Sequence, residues 1–222
     1  MEARKKRGGD QKDLLSKLFA VHKEKPEYDY NGVVSMATSN IFAGSDTTAI
    51  SIRAIIYHLL KNPDCKRKLM EDIDQRRRNG TLSDPVKLEE ANHMPYLQAI
   101  MYEALRLHPA VGMTLPRVVP PGGIEIDDTF IPAGTIVGVN PWVVHRNKQV
   151  YGDDIEVFRP ERWMKEDVGD MHRFFFSFGA GARLCLGKNI SWMEMSKLIP
   201  TLFMRYDLHL VDPDAELEET CQ

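Results

Sequence analysis

The sequence predicts a mainly helical fold with a small β portion, and three kinds of stretch carry that prediction. Residues 31–61 contain no proline and are apolar nearly all round, which is typical of a long buried helix. Two further stretches, beginning at Pro63 and Pro95, open with a proline at the first helical position. Residues 113–140 alternate short runs of Val, Ile and Thr with proline and glycine, the pattern of short strands and turns.

Two helices are predicted before residue 62. Residues 10–24 carry apolar residues at helical spacing until Pro26 interrupts the pattern. The apolar face consists of Leu14, Leu15, Leu18, Phe19 and Val21. The second helix, residues 31–61, is expected to be distorted at residues 44–48, because Gly-Ser-Asp-Thr-Thr are poor helix formers whose side chains compete for backbone carbonyls.

The remaining elements follow from proline positions and periodicity. A charged helix is predicted over residues 63–78 and an apolar one over residues 95–107. The short strands of residues 113–140 are followed by an irregular stretch. A last helix is predicted over residues 187–205 and a terminal strand near residues 208–211.

Composition indicates one globular unit over residues 1–222. The chain has 43% hydrophobic residues and a formal net charge of −3, which argues against disorder and against a nucleic-acid partner. No repeat or linker divides it, and residues 1–9 and 212–222 are expected to be frayed. The basic start lacks the apolar stretch of a signal peptide or membrane span, so a cytoplasmic or membrane-peripheral chain with no transmembrane segment is expected.

One of the three cysteines stands in an unusual loop. Cys65, Cys185 and Cys221 are too widely spaced for a disulfide framework or a CxxC metal site. Cys185 lies in residues 178–187, Phe-Gly-Ala-Gly-Ala-Arg-Leu-Cys-Leu-Gly, just before the last predicted helix. Glycine permits close backbone approach, and a helix N-terminus favours thiolate over thiol. Cys185 is therefore a candidate metal ligand, and the alternative is a buried cysteine in a glycine-rich turn.

Residues 178–187 resemble the haem-binding loop of the cytochrome P450 family, the haem-thiolate monooxygenases. Four more motifs typical of that family occur upstream in the family's order. They are Ala-Gly-Ser-Asp-Thr-Thr at residues 43–48, Glu-x-x-Arg at residues 103–106, Leu-Pro-Arg at residues 115–117 and Pro-Glu-Arg-Trp at residues 160–163. The resemblance implies the C-terminal half of the P450 fold, with its long central helix, Glu-x-x-Arg helix, meander, cysteine-ligand loop and final helix.

The resemblance implies haem b, iron protoporphyrin IX, as cofactor, with Cys185 as the axial thiolate ligand of the iron. Phe178 would shield the sulfur from water, and Gly179 and Gly187 belong to the same haem-binding set. Backbone N–H groups around Leu186 and Gly187 would moderate the charge of the thiolate. The alternative for Phe178 is an ordinary core aromatic residue.

On the opposite haem face, the resemblance implies roles for residues of the long helix. Ala43 and Gly44 are small enough to let a flat ring and dioxygen lie against the backbone. The Thr47 hydroxyl would hold the oxygen, and Asp46 would relay protons through water. The alternative is back-bonding of the hydroxyl within the helix and a solvent-facing aspartate.

Glu103 and Arg106 lie three residues apart, hence on one helical face. By resemblance Arg162 is the third member of a structural network that positions the cysteine loop, and a buried network of this kind needs all its partners. These three residues are assigned to stability rather than to catalysis. A surface salt bridge between Glu103 and Arg106 is the alternative.

Arg117 and Arg183 are the candidates for binding the haem propionates, because a guanidinium can donate two parallel hydrogen bonds to a carboxylate. His145 is a weaker candidate for the same role. Each arginine is alternatively a solvated surface charge.

The resemblance also implies partners: a hydrophobic organic substrate, O2 and a cytochrome P450 reductase or similar electron donor, with NADPH acting only indirectly through that donor. The residues that fall where the family contacts substrate are Val111, Met113, Thr114 and Leu115. Arg183 with Lys188, and the run at residues 76–78, are a candidate docking face for an acidic reductase, the alternative being solvated charge.

The resemblance covers only the C-terminal half of the family's catalytic domain, so the N-terminal half is expected to be absent. The spelling of residues 185–191, Cys-Leu-Gly-Lys-Asn-Ile-Ser, resembles fungal members of secondary metabolism. Full-length relatives are typically found at the endoplasmic reticulum membrane. Two alternatives to an active monooxygenase are a truncated, catalytically inactive haem-binding or scaffold remnant and a chain with no stable fold of its own.

Overall fold

In the computed structural model, which describes residues 13–25 and 27–216, the chain divides into two units, residues 1–47 and 48–222. The predicted fraying of residues 1–9, and that of residues 217–222, lies outside the described residues. Within the described residues, no helix is both long enough and apolar enough to cross a bilayer.

The first unit contains helix α1 (Leu14–Glu24) and the beginning of helix α2 (Tyr30–Lys61). The Asp13 side chain caps α1 by accepting a hydrogen bond from the Ser16 N–H at 2.7 Å, as N-cap aspartates do. The predicted α1 and α2 are confirmed. The first three residues of the predicted α1, residues 10–12, lie outside the described residues.

The predicted distortion of α2 at residues 44–48 is wrong, because the helix is continuous from Tyr30 to Lys61. The Ser45 and Thr47 hydroxyls each donate to the carbonyl four residues earlier, at 2.7 Å. This back-bonding occupies the hydroxyls without interrupting the backbone ladder.

The predicted burial of α2 all round is also wrong for its first half, where Ile41 is 68% and Phe42 69% exposed. An all-apolar surface is buried only where other elements cover it. The described residues of the first unit supply only one further helix, α1.

The core of the second unit lies among five helices. They are the end of α2, α3 (Pro63–Arg78), α4 (Leu88–Asn92), α5 (Pro95–Leu107) and α9 (Lys188–Arg205). Their buried apolar side chains include Ile55, Leu59, Leu69, Ile73, Leu97, Ile100, Met101, Met195, Ile199 and Phe203. Helix α5 is central, since nine of its 13 residues are buried. The predicted helices over residues 63–78, 95–107 and 187–205 are confirmed.

The small β portion consists of two antiparallel pairs. Strand β1 (Leu115–Val118) pairs with β4 (Ile136–Val139), and β2 (Ile124–Ile126) pairs with β3 (Thr129–Ile131). The two residues that join β2 to β3, Asp127 and Asp128, have φ of 52° and 59°, as a tight two-residue hairpin turn requires. The prediction of short strands here is confirmed.

The irregular stretch after β4 contains short helical turns. They are α6 (Pro141–Val144), α7 (Lys148–Tyr151), a 3₁₀ turn (Pro160–Met164), α8 (Gly169–Arg173) and a second 3₁₀ turn (Gly181–Arg183). The predicted strand at residues 208–211 is wrong, because that segment has no regular structure. The Leu208 carbonyl there accepts a hydrogen bond from the Lys66 side chain at 2.9 Å instead of one from a partner strand.

Candidate functional site

The cysteine loop, residues 178–187, presents Cys185 at the surface immediately before α9. The Cys185 N–H donates to the Phe178 carbonyl at 2.9 Å and closes the loop, while Gly179 adopts a φ of 71°. Cys185 is exposed and unpaired with any other cysteine of the described residues. The alternative of a buried cysteine in a glycine-rich turn is therefore wrong.

The surroundings of Cys185 combine apolar surface with backbone N–H groups. Leu186 is 99% and Leu184 is 46% exposed, so apolar side chains flank the thiol on the surface. No backbone hydrogen bond among the described residues uses the N–H of Leu186 or Gly187. At Gly187 a Cβ would lie 3.7 Å from the Cys185 sulfur, so the glycine leaves the sulfur uncovered on that side.

The base of the loop is packed into the core. The Phe178 ring lies 6.5 Å from the ring of Phe175 and 6.1 Å from that of Trp192, centroid to centroid. The Lys188 ammonium lies 5.8 Å from the Phe178 ring centroid, a cation–π distance. These contacts fit the alternative of a core aromatic, and shielding of the sulfur by Phe178 stays a prediction.

A buried charge cluster is centred on Glu103 of α5. Glu103 and Arg106 are 0% exposed and Arg162 is 1% exposed. Arg106 donates to both carboxylate oxygens of Glu103 at 2.9 Å, and Arg162 Nε donates to Oε1 at 2.8 Å. The structure thus brings the three residues together, and the alternative of a surface salt bridge is wrong.

The cluster is closed by further partners that satisfy its hydrogen-bonding groups. Glu103 also accepts from the Trp163 indole at 2.8 Å and from the Arg159 N–H at 3.0 Å. Arg162 donates to the carbonyls of Tyr151, Asp154 and Val157 and to the Asp154 carboxylate. A buried ion pair is tolerated only when its remaining donors and acceptors are satisfied in this way.

The electrostatics of the cluster keep the Glu103 carboxylate charged. Burial alone would raise its pKa, but the hydrogen bond and charge of Arg106 and the charge of Arg162 outweigh burial, so the pKa of Glu103 is lowered. The guanidinium charges of Arg106 and Arg162 exceed the charge of Glu103 by one. The Asp154 carboxylate adds a second negative charge 3.3 Å from Arg162, and it shares this charge with Arg159 at 2.7 Å.

The expectation that His145 contacts a haem propionate is wrong. His145 is buried, with 0% exposure, and its two ring nitrogens are used inside the chain. Nδ1 lies 3.0 Å from the Arg106 carbonyl, and Nε2 lies 2.8 Å from the Phe176 N–H. Burial lowers the pKa of His145 to about 4, so the ring is neutral at neutral pH.

The two arginines predicted to bind propionates are placed on the surface. Arg117 lies on β1, and its Nη1 donates to the neighbouring Pro116 carbonyl at 2.7 Å. Arg183 ends the 3₁₀ turn two residues before Cys185 and is also exposed. Both guanidinium groups are accessible to a carboxylate, and their roles stay predictions.

Of the substrate-contact candidates, Val111 is 40% and Met113 is 62% exposed.

In the candidate docking face, Arg77 and Arg78 are exposed, whereas Arg76 donates to the Asp72 carboxylate and the His93 carbonyl. Arg76 is therefore occupied by its own chain.

The four residues predicted for the opposite haem face lie in the first unit, on α2. Ala43, Gly44 and Asp46 are exposed, and Thr47 is half-buried. The Thr47 hydroxyl donates to the Ala43 carbonyl at 2.7 Å, which is the back-bonding of the alternative interpretation. The catalytic roles of Asp46 and Thr47 stay predictions.

Sequence reasoning missed the residues that complete the charge cluster and join it to the loop. The sequence marks Trp163 only as a motif residue, although a buried indole N–H regularly needs an acceptor. The roles of the Arg159 N–H and of His145 depend on tertiary placement, and no local pattern signals them.

A sequence model of the cytochrome P450 family matches residues 2–222. The chain is 42% identical over 206 residues to the cytochrome P450 monooxygenase hepC of Aspergillus oryzae, covering 92% of this chain and 40% of that protein. It is 42% identical over 207 residues to the monooxygenase cicH of Emericella nidulans, covering 92% and 42%. Over 183 residues it is 46% identical to a pisatin demethylase of Fusarium vanettenii, covering 82% and 35%.

The chain therefore belongs to the cytochrome P450 family. It spans about two fifths of the length of these relatives, 40% of hepC and 42% of cicH. The residues of the cysteine loop fit the cofactor that this family implies, because the exposed sulfur is flanked by the exposed Leu184 and Leu186 and by two N–H groups, of Leu186 and Gly187, that have no backbone acceptor in the described part of the chain. The apolar face of a haem would suit the exposed leucines, and its iron would take the sulfur as a ligand.

Proposed function

We propose that the chain forms the cysteine-ligand part of a haem-dependent monooxygenase, which inserts one oxygen atom from O2 into a hydrophobic organic substrate. The observation that supports this most is the placement of Cys185. Its sulfur is exposed between apolar side chains while its backbone N–H is held by the Phe178 carbonyl. A thiol that is sterically open on a fixed backbone is suited to ligate a metal.

The haem supplies oxygen activation when it is bound, and the residues of this chain hold and orient it. Cys185 provides the thiolate, and the N–H groups of Leu186 and Gly187 are available to donate to the sulfur. Such hydrogen bonds draw charge from a thiolate ligand and so set the reduction potential of its metal. Arg117 and Arg183 are proposed to bind the propionates as charge-assisted pairs.

Asp46 and Thr47, which lie in the first unit, are proposed to hold and move the protons that the chemistry of a bound haem would need. A threonine hydroxyl can both donate and accept hydrogen bonds, which is what a proton-handling group needs. Asp46 is exposed and can exchange protons with solvent. Ala43 and Gly44 are proposed to leave room beside the helix backbone for the ring, and at Gly44 a Cβ would meet nothing within 4 Å.

The substrate and electron donor are proposed from the family and the relatives. Relatives named as monooxygenases and as a pisatin demethylase in fungi support an organic substrate and a role in secondary metabolism. A cytochrome P450 reductase or similar donor is proposed as redox partner, with the exposed Arg77 and Arg78 as its docking charges.

The experiment is a haem titration of the chain, followed by the carbon monoxide difference spectrum after dithionite reduction. We expect the wild type to give the red-shifted Soret band of thiolate ligation. Cys185→Ser should abolish this band, because a serine hydroxyl does not replace a thiolate. Cys65→Ala is the matched control, since Cys65 is buried in the core, and it should keep the band.

The other results separate the alternatives. Haem uptake with only the band of displaced thiolate, in wild type and Cys185→Ser alike, supports a catalytically inactive haem-binding remnant. A folded chain without haem uptake supports a haem-free scaffold. Either result would overturn the proposed ligation in this chain.

A further inference from the structure

The C-terminal end of α5 is tied to the segment that leads into the cysteine loop. The last four carbonyls of a helix have no partner within it. In α5 the Ala104 carbonyl accepts from the His108 N–H, and the Leu105 carbonyl accepts from the Ser177 hydroxyl. The Arg106 carbonyl accepts from the His145 ring, and the Leu107 carbonyl accepts from the Arg146 guanidinium. Two of these four partners connect the helix end to the segment before the loop, Ser177 directly and His145 through the Phe176 N–H.

We propose that His145 is a positioning residue that fixes the cysteine loop relative to the buried charge cluster, acting through the hydrogen bonds of its two ring nitrogens. Nδ1–H donates to the Arg106 carbonyl at 3.0 Å, and Nε2 accepts from the Phe176 N–H at 2.8 Å. The His145 carbonyl also accepts from Arg106 Nη1 at 3.0 Å. His145 thus makes two hydrogen bonds with Arg106 and one with Phe176, in the segment that leads into the loop.

The tautomer follows from the partners. A carbonyl can only accept and a backbone N–H can only donate, so Nδ1 must carry the proton and Nε2 must not. The ring is held in this orientation by Phe175, which stacks on it at 5.4 Å between centroids with planes 10° apart. A neutral ring in one tautomer therefore serves both partners at once.

The path from His145 to the cysteine is short. The Phe176 carbonyl accepts from the Gly179 N–H at 2.9 Å, and the Phe178 carbonyl accepts from the Cys185 N–H at 2.9 Å. Displacing Phe176 would displace both turns of the loop. His145 is too deeply buried to touch a ligand at the surface, so it acts through the loop rather than on the haem.

The test is residue-resolved amide hydrogen exchange of the full chain without haem. His145→Phe keeps a ring to stack on Phe175 but removes both nitrogens. We expect exchange at the Phe176 and Cys185 amides to rise about tenfold or more relative to amides in the middle of α5. His145→Gln, whose amide oxygen can accept from the Phe176 N–H, should restore part of the protection at Phe176.

His58→Phe is the matched control. His58 is also a histidine stacked on a phenylalanine, with 4.9 Å between its ring centroid and that of Phe158, and its ring contacts join it to Tyr57 and Phe158 rather than to the loop. The His58→Phe variant should change the amide exchange rates of the loop and of α5 by the same factor. Equal exchange in wild type and His145→Phe, or a loop-selective rise in His58→Phe, would overturn the proposal.

A measurement on the wild type does not depend on any variant folding. The ¹⁵N shifts of the His145 ring report its tautomer, and the Nδ1–H form is required. The Nε2–H form or a charged ring at neutral pH would overturn the proposal. The positioning of a haem ligand rests on the proposed function, but both measurements use the haem-free chain, so failure to bind haem is distinguishable from failure of the His145 linkage.

Discussion

The charge cluster around Glu103 and the cysteine loop lie in the same unit but differ in how many of their polar groups have hydrogen-bond partners. The Glu103 carboxylate is fully buried and accepts five hydrogen bonds from four residues, Arg106, Arg159, Arg162 and Trp163. In the loop, Cys185 is exposed and the N–H groups of Leu186 and Gly187 have no backbone acceptor among the described residues.

The difference separates stability from ligand binding. Where buried charges satisfy each other, the loss of one partner leaves the others desolvated and unpaired, and the fold loses stability. Where groups remain open on a fixed backbone, their loss costs the fold little and affects what binds there. Substitutions in the two regions should therefore differ in both size and kind of effect.

The largest effect is expected for Glu103→Ala, which leaves Arg106 and Arg162 buried without their carboxylate. We expect the free energy of unfolding to fall by about 3–5 kcal/mol, measured by urea denaturation followed by far-ultraviolet circular dichroism. Glu156→Ala removes the carboxylate that pairs with Arg146 at 2.9 Å, and the Glu156 side chain is 64% exposed. This control should cost less than about 1 kcal/mol, and equal losses would contradict the contrast.

A slightly smaller effect is expected from acid. Burial lowers the pKa of His145 to about 4 from an ordinary value of 6.5. Between these values the unfolded chain binds a proton that the folded chain does not, so stability falls as pH falls. The contribution of His145 is about 3 kcal/mol across this window.

Unfolding free energies measured from pH 7 to pH 4.5 test this dependence. His145→Phe should show a shallower slope against pH than wild type, whatever its absolute stability. Burial also lowers the pKa of His58 to about 4. His58 should therefore still contribute to the dependence of the unfolding free energy on pH in the His145→Phe variant. Identical slopes in wild type and His145→Phe would show that His145 is not buried neutral.

An intermediate effect is expected for Trp163→Phe. Phenylalanine keeps an aromatic ring beside Tyr102, which stacks on Trp163 at 5.0 Å. It removes the indole N–H that donates to Glu103 at 2.8 Å. We expect a loss of about 2 kcal/mol, because a hydrogen bond to a buried charge is lost. A change below about 0.5 kcal/mol in thermal or urea unfolding would mean that the remaining donors satisfy the carboxylate.

The smallest effects are expected in the loop and can be compared at two glycines. Gly179 has a φ of 71°, so Gly179→Ala should cost about 1 kcal/mol through backbone strain. Gly187 has a φ of −81°, which alanine adopts freely, so Gly187→Ala should leave stability within about 0.5 kcal/mol.

Gly187→Ala should still weaken haem binding, since the new methyl group lies 3.7 Å from the Cys185 sulfur. Haem titration of the two variants checks this. A destabilised Gly187→Ala with unchanged haem affinity would reverse the assignment of the loop to ligand binding.

Much of the charge cluster was predictable because it is partly local. The spacing of Glu103 and Arg106 places them on one helical face, and the family resemblance supplied Arg162. The Trp163 indole, the Arg159 N–H and His145 come from segments 39 to 60 residues away along the chain. Such pairings depend on how the turns after β4 fold back onto α5.

The helices were predicted well where proline marks their starts, as at Pro63 and Pro95. The errors occurred where local propensity was set against context. Residues 44–48 were expected to distort α2, but the hydroxyls of Ser45 and Thr47 bond back to the helix and leave it continuous. The apolar run at residues 208–211 has the alternation of a strand, yet a strand also needs a neighbour to pair with.

The most direct test of the contrast between the two regions is amide hydrogen exchange of the wild type with and without haem. We predict that haem slows exchange at residues 178–187 at least severalfold, because it covers the open loop. Amides of α5 around Glu103, already buried, should change much less. Protection in α5 alone, or none in the loop at a haem concentration that saturates the Soret absorbance, would contradict the assignment of Cys185 and its loop to haem.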